Sequence, residues 1–383
     1  MTLRHAGLLG FVMASGFLIV GQIYMVIPLI EDIAARFDVS PANAGFVGTA
    51  FGFAYAAGFL VFGPLSDRFG RRRVIVLGLI ATALATLLVA FAQNFGLLLA
   101  ARAVQGFAAS TFPPAALSLV AEDLPPRQRA FGISLMSFAF LGAAPLSQFL
   151  AAQVSGGLPA IMLWLAPLYL FGAAGMFFTA RSVSSVASSE GAGTEQRTRP
   201  LLHDPGIIAA WAAAGTVLFG FVSFHAGAQA LGVVRNFDLQ VLRLVGLPTL
   251  LLTFAATPLT RRHGAPVTAR IGLGLAALAL GIAATGVSAL VTTASVLLSA
   301  GVALAVPGLI ATVAGRASDG NRGLALAIYS FLLFFGASIA PPVAHALMQT
   351  GSVAGWLLPA SLFALAAIGL TVFTPISQRP PGR

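Results

Sequence analysis

Arg102 and Gln105 stand three residues apart in the run "LLLAARAVQGFAAS" (97–110), where no other residue is charged. On a helix this spacing puts a guanidinium and a carboxamide on one face. Two readings stand for Arg102: it attracts an anionic solute, or it binds carbonyls and glutamines as glue between helices. His225 and Gln229 lie one helical turn apart in a second apolar run. An imidazole titrates near neutral pH and suits proton coupling; the alternative is a hydrogen-bonded packing residue. Gln22 and Tyr24 in residues 6–30, and Gln148 in residues 130–153, either line a cavity or hold helices together. His345, near the end of its run, reads as interfacial.

Charge is concentrated elsewhere. In "GPLSDRFGRRRV" (63–74), Asp67, Arg68, Arg71, Arg72 and Arg73 crowd together, although only 8% of the 383 residues are charged and 58% are hydrophobic. Soluble domains carry about a quarter charged residues. A mean hydropathy of +0.94 makes lipid the expected solvent. A helix needs about 20 apolar residues to cross a bilayer. Twelve runs qualify: 6–30, 42–64, 74–93, 95–120, 130–153, 158–180, 206–233, 239–259, 270–288, 291–314, 323–348 and 353–374. They predict an all-α integral membrane protein. The alternation of a membrane β-barrel is missing. The first run is too long for the core of a signal peptide and reads as a retained span.

All 21 basic residues are arginine. With the N-terminus in the cytoplasm, 17 of these 21 fall on the cytoplasmic side. Arg36, Arg235 and Arg243 fall outside, and Arg102 stays within a span. The positive-inside rule then puts both ends in the cytoplasm. The net charge of +10 sits in short loops between spans, so it implies no nucleic-acid partner. Cysteine is absent, and no phosphate-binding loop, HExxH pair or serine elbow occurs. No enzyme activity, metal or cofactor is therefore expected.

The polar stretch 181–205 divides the spans six and six, which predicts an N-terminal bundle (1–180), a cytoplasmic linker (181–205) and a C-terminal bundle (206–383). At an offset of 193, Pro114 falls on Pro307, Arg129 on Arg322 and Ser137-Phe138 on Ser330-Phe331; at 194, "PLSDRFG" (64–70) falls on "PLTRRHG" (258–264). The halves read as a duplication, an arrangement that places substrate sites at the interface between repeats. Arg102 matches Ser295, and Arg261 replaces Asp67, so neither charge is repeated.

These features resemble the major facilitator superfamily over essentially the whole chain. Gly63, Leu65, Ser66, Asp67, Arg68, Gly70, Arg71 and Arg72 fit the family's signature between spans 2 and 3, and "RAVQG" (102–106) is similar to its span-4 motif. The resemblance implies two pseudo-symmetric six-helix bundles that rock about a central cavity. It also implies a latch: Asp67 at the start of span 11, with Arg129 nearby, joins the halves on the cytoplasmic side. The expected function is secondary transport of a small organic solute in a bacterial inner membrane, by a monomer. Export coupled to protons is the first reading, and import of an organic anion anchored by Arg102 is the alternative. Against the exporter pattern, no carboxylate lies well inside a span, and "GAAPLSQFL" (142–150) separates Gly142 from Pro145. In span 2, Gly45, Gly48, Gly52 and Ala56 form a small-residue face suited to close helix packing.

Overall fold

A computed structural model describes residues 3–179, 201–235, 237–318, 321–348 and 353–375. The expected linker therefore falls almost wholly outside the described residues. So do the side chains of Asp67 and Arg129.

Among the described residues, ten helical spans are long and apolar enough to cross a membrane, the eighth of the chain running from Leu239 to His263, and two shorter apolar stretches, Leu135–Ala151 and Leu357–Phe373, complete twelve. In chain order they are α1 (Leu3–Tyr24), α2 (Phe46–Phe69), α3 (Arg71–Ala90), α4 (Phe95–Ala109, resuming as Phe112–Asp123), α5 (Pro126–Ala151) and α6 (Gly157–Thr179). Then come α7 (Pro205–Arg235), α8 (Leu252–His263), α9 (Ala265–Ala283), α10 (Ser288–Arg316), α11 (Arg322–Met348) and α12 (Leu357–Phe373).

Three expected spans are less regular than their hydropathy suggests. Span 1 ends at Tyr24 and is followed by a separate helix, Ile30–Phe37, which buries Ile30, Ile33 and Ala34 and exposes Glu31, Asp32 and Arg36. Span 4 breaks at Ser110 and Thr111, just before Pro113 and Pro114, whose rings cannot donate the next helical hydrogen bonds. Span 8 begins as a short helix, Leu239–Leu244, capped by the Asp238 carboxylate, which accepts from the N–H groups of Gln240 and Val241. Hydropathy sees only an apolar run across each of these breaks.

The duplication is visible in the turns. Gly70 joins α2 to α3 at φ 89°, and Gly264 joins α8 to α9 at φ 94°. Both donate their N–H back into the preceding helix, to Ser66 O at 3.1 Å and Thr260 O at 2.9 Å. At that φ an L side chain is strained, which accounts for glycine at the end of both repeated sequences.

Each bundle is also clamped at its arginine-rich end. Arg4 donates to both oxygens of Asp123 (2.9 and 2.7 Å) and to Thr179 O (3.0 Å), tying α1 to α4 and α6. In the second half Arg316 donates to Asp204 (2.9 Å), tying α10 to the start of α7. The clamp is kept with its charges exchanged. Partial burial raises the Asp204 carboxyl, but the hydrogen bonds from Arg316, Ile207 N and Gly206 N outweigh it and hold the group below its ordinary value.

Candidate functional site

The bundles meet along α2 against α11 and along α5 against α8 and its leading helix. The small-residue face of α2 fits here: a side-chain carbon at Gly45 would touch Pro342, one at Gly48 would touch Pro341, and one at Gly52 would run into Ser338. Thr49 donates to Ser338 O at 2.6 Å. Deeper in, Tyr55 and Phe59 lie 5.0 and 5.3 Å from the Phe334 ring. Across the other seam Phe138 faces Phe254 at 6.3 Å. At the arginine-rich end the picture reverses. A carbon added at Gly63 on α2 or at Gly323 on α11 would meet open space, and Leu324 is 56% exposed. The bundles are thus packed together from Gly45 to Phe59, whereas Gly63 and Gly323 have no atom of the other bundle against them.

Between them, Tyr24, Leu141 and Ala144 of one bundle and Leu218, Phe221, Leu250 and Val302 of the other enclose a space of about 10 Å³. That is the size of a single water. Gln148 sits one turn from Ala144, is 1% exposed, and donates to Ala144 O at 3.1 Å.

Arg102 is not on this surface. It is fully buried inside the first bundle. It donates to Gln22 Oε1 (2.9 Å), Gln22 O (2.7 Å), Gln105 Oε1 (2.7 Å) and Val47 O (3.3 Å), and lies 4.4 Å from the Phe51 ring centroid. Gln22 in turn donates to the Tyr169 hydroxyl (2.9 Å), which donates to Leu18 O (3.0 Å); Gln105 donates to Thr86 (2.8 Å). The guanidinium therefore ties α1, α2 and α4 together through neutral acceptors, and its neighbours extend the network to α3 and α6. Gly106 completes the motif sterically, because α4 runs so close to α2 there that a side-chain carbon would collide with the Phe51 carbonyl.

The polar groups expected to serve one site thus separate into two. Gln22, Arg102 and Gln105 form the sealed network. Tyr24 and Gln148 lie at or beside the seam. In the second bundle His225 is 5% exposed, with its ring 4.8 and 5.2 Å from those of Phe221 and Phe224. Gln229 accepts a hydrogen bond from Arg243 at 2.7 Å. His345 is half-buried near the end of α11. Of the signature residues, Arg72 stacks 4.5 Å from the Phe177 ring centroid and donates to Phe177 O, and Arg68 lies 5.6 Å from Phe69. Leu65 is half-buried.

Sequence reasoning missed Tyr169, Thr86 and Phe51 as partners of the network. A tyrosine in a span was a usable signal, since the chain has only four. It placed Arg243 on the outer side, at the start of span 8, and gave it no role. Arg243 is 6% exposed, on the second turn of "LQVLRL", a leucine-rich helix packed beneath α5.

Comparison with known proteins follows this geometry. The Major Facilitator Superfamily profile matches residues 12–242 and 240–383. The niacin transporter NiaP of Acinetobacter baylyi is 35% identical over 153 residues, 37% of this chain and 34% of that protein. The bicyclomycin resistance protein homolog of Haemophilus influenzae is 30% identical over 158 residues, 41% and 38% of the two chains. The quinolone resistance protein NorA of Staphylococcus aureus is 27% identical over 167 residues, 44% and 42%. The chain thus spans between a third and a half of the length of these relatives. In fold it is similar to the crystal structure of the human organic anion transporter MFSD10 (TETRAN), with a TM-score of 0.71 at 18% identity, covering 97% of this chain and all of that one. With twelve apolar helices in two repeated bundles, the chain belongs to the Major Facilitator Superfamily, whose members are membrane transporters rather than enzymes.

Proposed function

We propose that the protein is a secondary transporter that exports a small organic solute from a bacterial cell by alternating access, driven by protons. The observation that carries this reading is the uneven seam between the bundles, packed from Gly45 to Phe59 and without contact at Gly63 and Gly323. Two rigid units that touch along part of their shared seam can rock about that contact. With the arginine-rich end in the cytoplasm, as charge asymmetry argues, this is the inward-open state. Asp67 then acts in the opposite state, when α2 approaches the start of α11 and a carboxylate meets the positive end of that helix dipole. Two relatives are named for drug resistance, and their names favour export. The import alternative loses the anchor it relied on, because Arg102 is committed to acceptors within its own bundle.

Everted vesicles given an inward-acidic gradient test the proposal. They should accumulate a substrate found by screening the protein in proteoliposomes, and collapsing the gradient should abolish accumulation. Equal transport with and without the gradient rejects proton drive. His225 is the proposed carrier, since it sits on the α7 stripe that reaches the seam. His225→Gln should flatten the pH profile of transport, and an unaltered profile removes that role. Asp67→Asn should increase thiol labelling from the cytoplasmic side of a cysteine placed at Gly63. Unchanged labelling rejects the latch.

A further inference from the structure

Arg243 is a buried cation whose partners do not account for it. A guanidinium carries five N–H donors and stays charged at any physiological pH. Among the described residues, one hydrogen bond is made, from Nη2 to Gln229 Oε1 at 2.7 Å, and no carboxylate forms an ion pair with it. The nearest acid in sequence, Asp238, is exposed and spends its carboxylate capping the helix that carries Arg243. A charge buried in a span without a counter-charge is costly and marks a functional site by default.

Its position gives the charge a use. Leu218, Phe221, His225 and Gln229 follow one another at helical spacing along a single stripe of α7. Leu218 and Phe221 line the small space between the bundles, with Tyr24 opposite. His225 continues the stripe, and Gln229 ends it at Arg243. Arg243 therefore stands at the closed end of the path that the seam defines, under α5. The helix that carries Arg243 packs against α5, so parting the bundles along this seam uncovers that helix. Arg102, by contrast, is saturated by its own bundle.

We infer that Arg243, oriented by Gln229, is the anion-binding subsite of the transport path, and that the transported solute is an organic carboxylate with an apolar or aromatic body. The carboxylate takes the fork of N–H groups that Gln229 leaves free, a geometry suited to bidentate pairing. The body lies along Phe221, Leu218 and Tyr24. This inference rests on the transporter reading and adds the class of solute.

Binding of benzoate and octanoate to the purified full-length protein, each set against its neutral amide, tests it. The carboxylates should bind at least tenfold more tightly than benzamide and octanamide. Arg243→Gln should remove that preference without changing amide binding, and Arg243→Lys should keep part of it, since a lysine retains the charge but not the fork. Elution as a single folded species guards against trivial loss in each variant. A wild type that binds the acids no better than the amides overturns the inference, as does a folded Arg243→Gln variant with undiminished preference. The two readings fail differently. If no solute exchanges across proteoliposomes, transport itself fails. If neutral or cationic solutes exchange while carboxylates do not, only the anion subsite fails.

Discussion

Among the described residues each bundle buries one arginine, and the two are treated in opposite ways. In the first bundle Arg102 has four hydrogen bonds, an aromatic face and a surrounding shell of bonded side chains. In the second, the repeat position is Ser295, whose hydroxyl donates to Leu242 O at 2.9 Å. Arg102 makes the equivalent link to Val47 O at the start of α2. One connection between the second and fourth spans of the repeat is thus made by arginine in one half and serine in the other. The second bundle's cation comes from the neighbouring position, Arg243, and is left with Gln229. Duplication preserved the strut and moved the charge. The first bundle gained a rigid core, and the second a donor with spare capacity.

Arg102→Ala should be the most damaging change. Interhelical hydrogen bonds within membranes average about 0.6 kcal/mol, so losing the three to α1 and α2 costs on the order of 2 kcal/mol, and the orphaned glutamine oxygens add to that. Thermal unfolding in detergent should show a marked fall in melting temperature. Arg243→Gln should stay within about 1 kcal/mol of the parent. Equal losses at the two sites would erase the distinction drawn between them.

A second contrast sets the packed stretch of the seam, from Gly45 to Phe59, against Gly63 and Gly323, which have no neighbour across it. Gly52→Val puts methyl groups against the backbone and side chain of Ser338, where even one added carbon lies 3.3 Å from its Cα. The bundles then cannot shut there, and transport should fall at least tenfold while the protein still elutes as a folded species. Retained transport would mean that the bundles need not shut at this contact during the cycle.

The smallest expected effect concerns the paired clamps. Because the Asp204 carboxyl is held below its ordinary value, its contact with Arg316 stabilises the protein at pH values above about 4, the ordinary carboxylate range, and that contribution fades as pH falls through the lowered value. Asp204→Asn should lower the melting temperature slightly at pH 7, and by less as pH falls through the acid range. A difference that is independent of pH would refute the charge-based account of the clamp.

Much of this fold is legible in the sequence, because lipid leaves few options: apolar length sets the spans, and the two glycine-ended repeats set the duplication. The small-residue face of α2 was readable too, since glycine and alanine at helical spacing permit close packing wherever the partner lies. The division of the polar residues was not. Helical spacing says that Arg102 and Gln105 share a face, but not whether it looks into its own bundle or across the seam. That is fixed by Gln22, Tyr169 and Val47, far away in sequence. The burial of Arg243 against Gln229 was not readable either, because hydropathy cannot see a helix of six residues folded under its neighbour.

The central claim, that the seam between α2 and α11 must open for transport, is tested most directly by pairing Thr49→Cys with Ser338→Cys. The natural chain has no cysteine to interfere. The account predicts that a cross-link forms readily, stops transport, and releases it on reduction. A cross-linked protein that carries its solute at the full rate would contradict it.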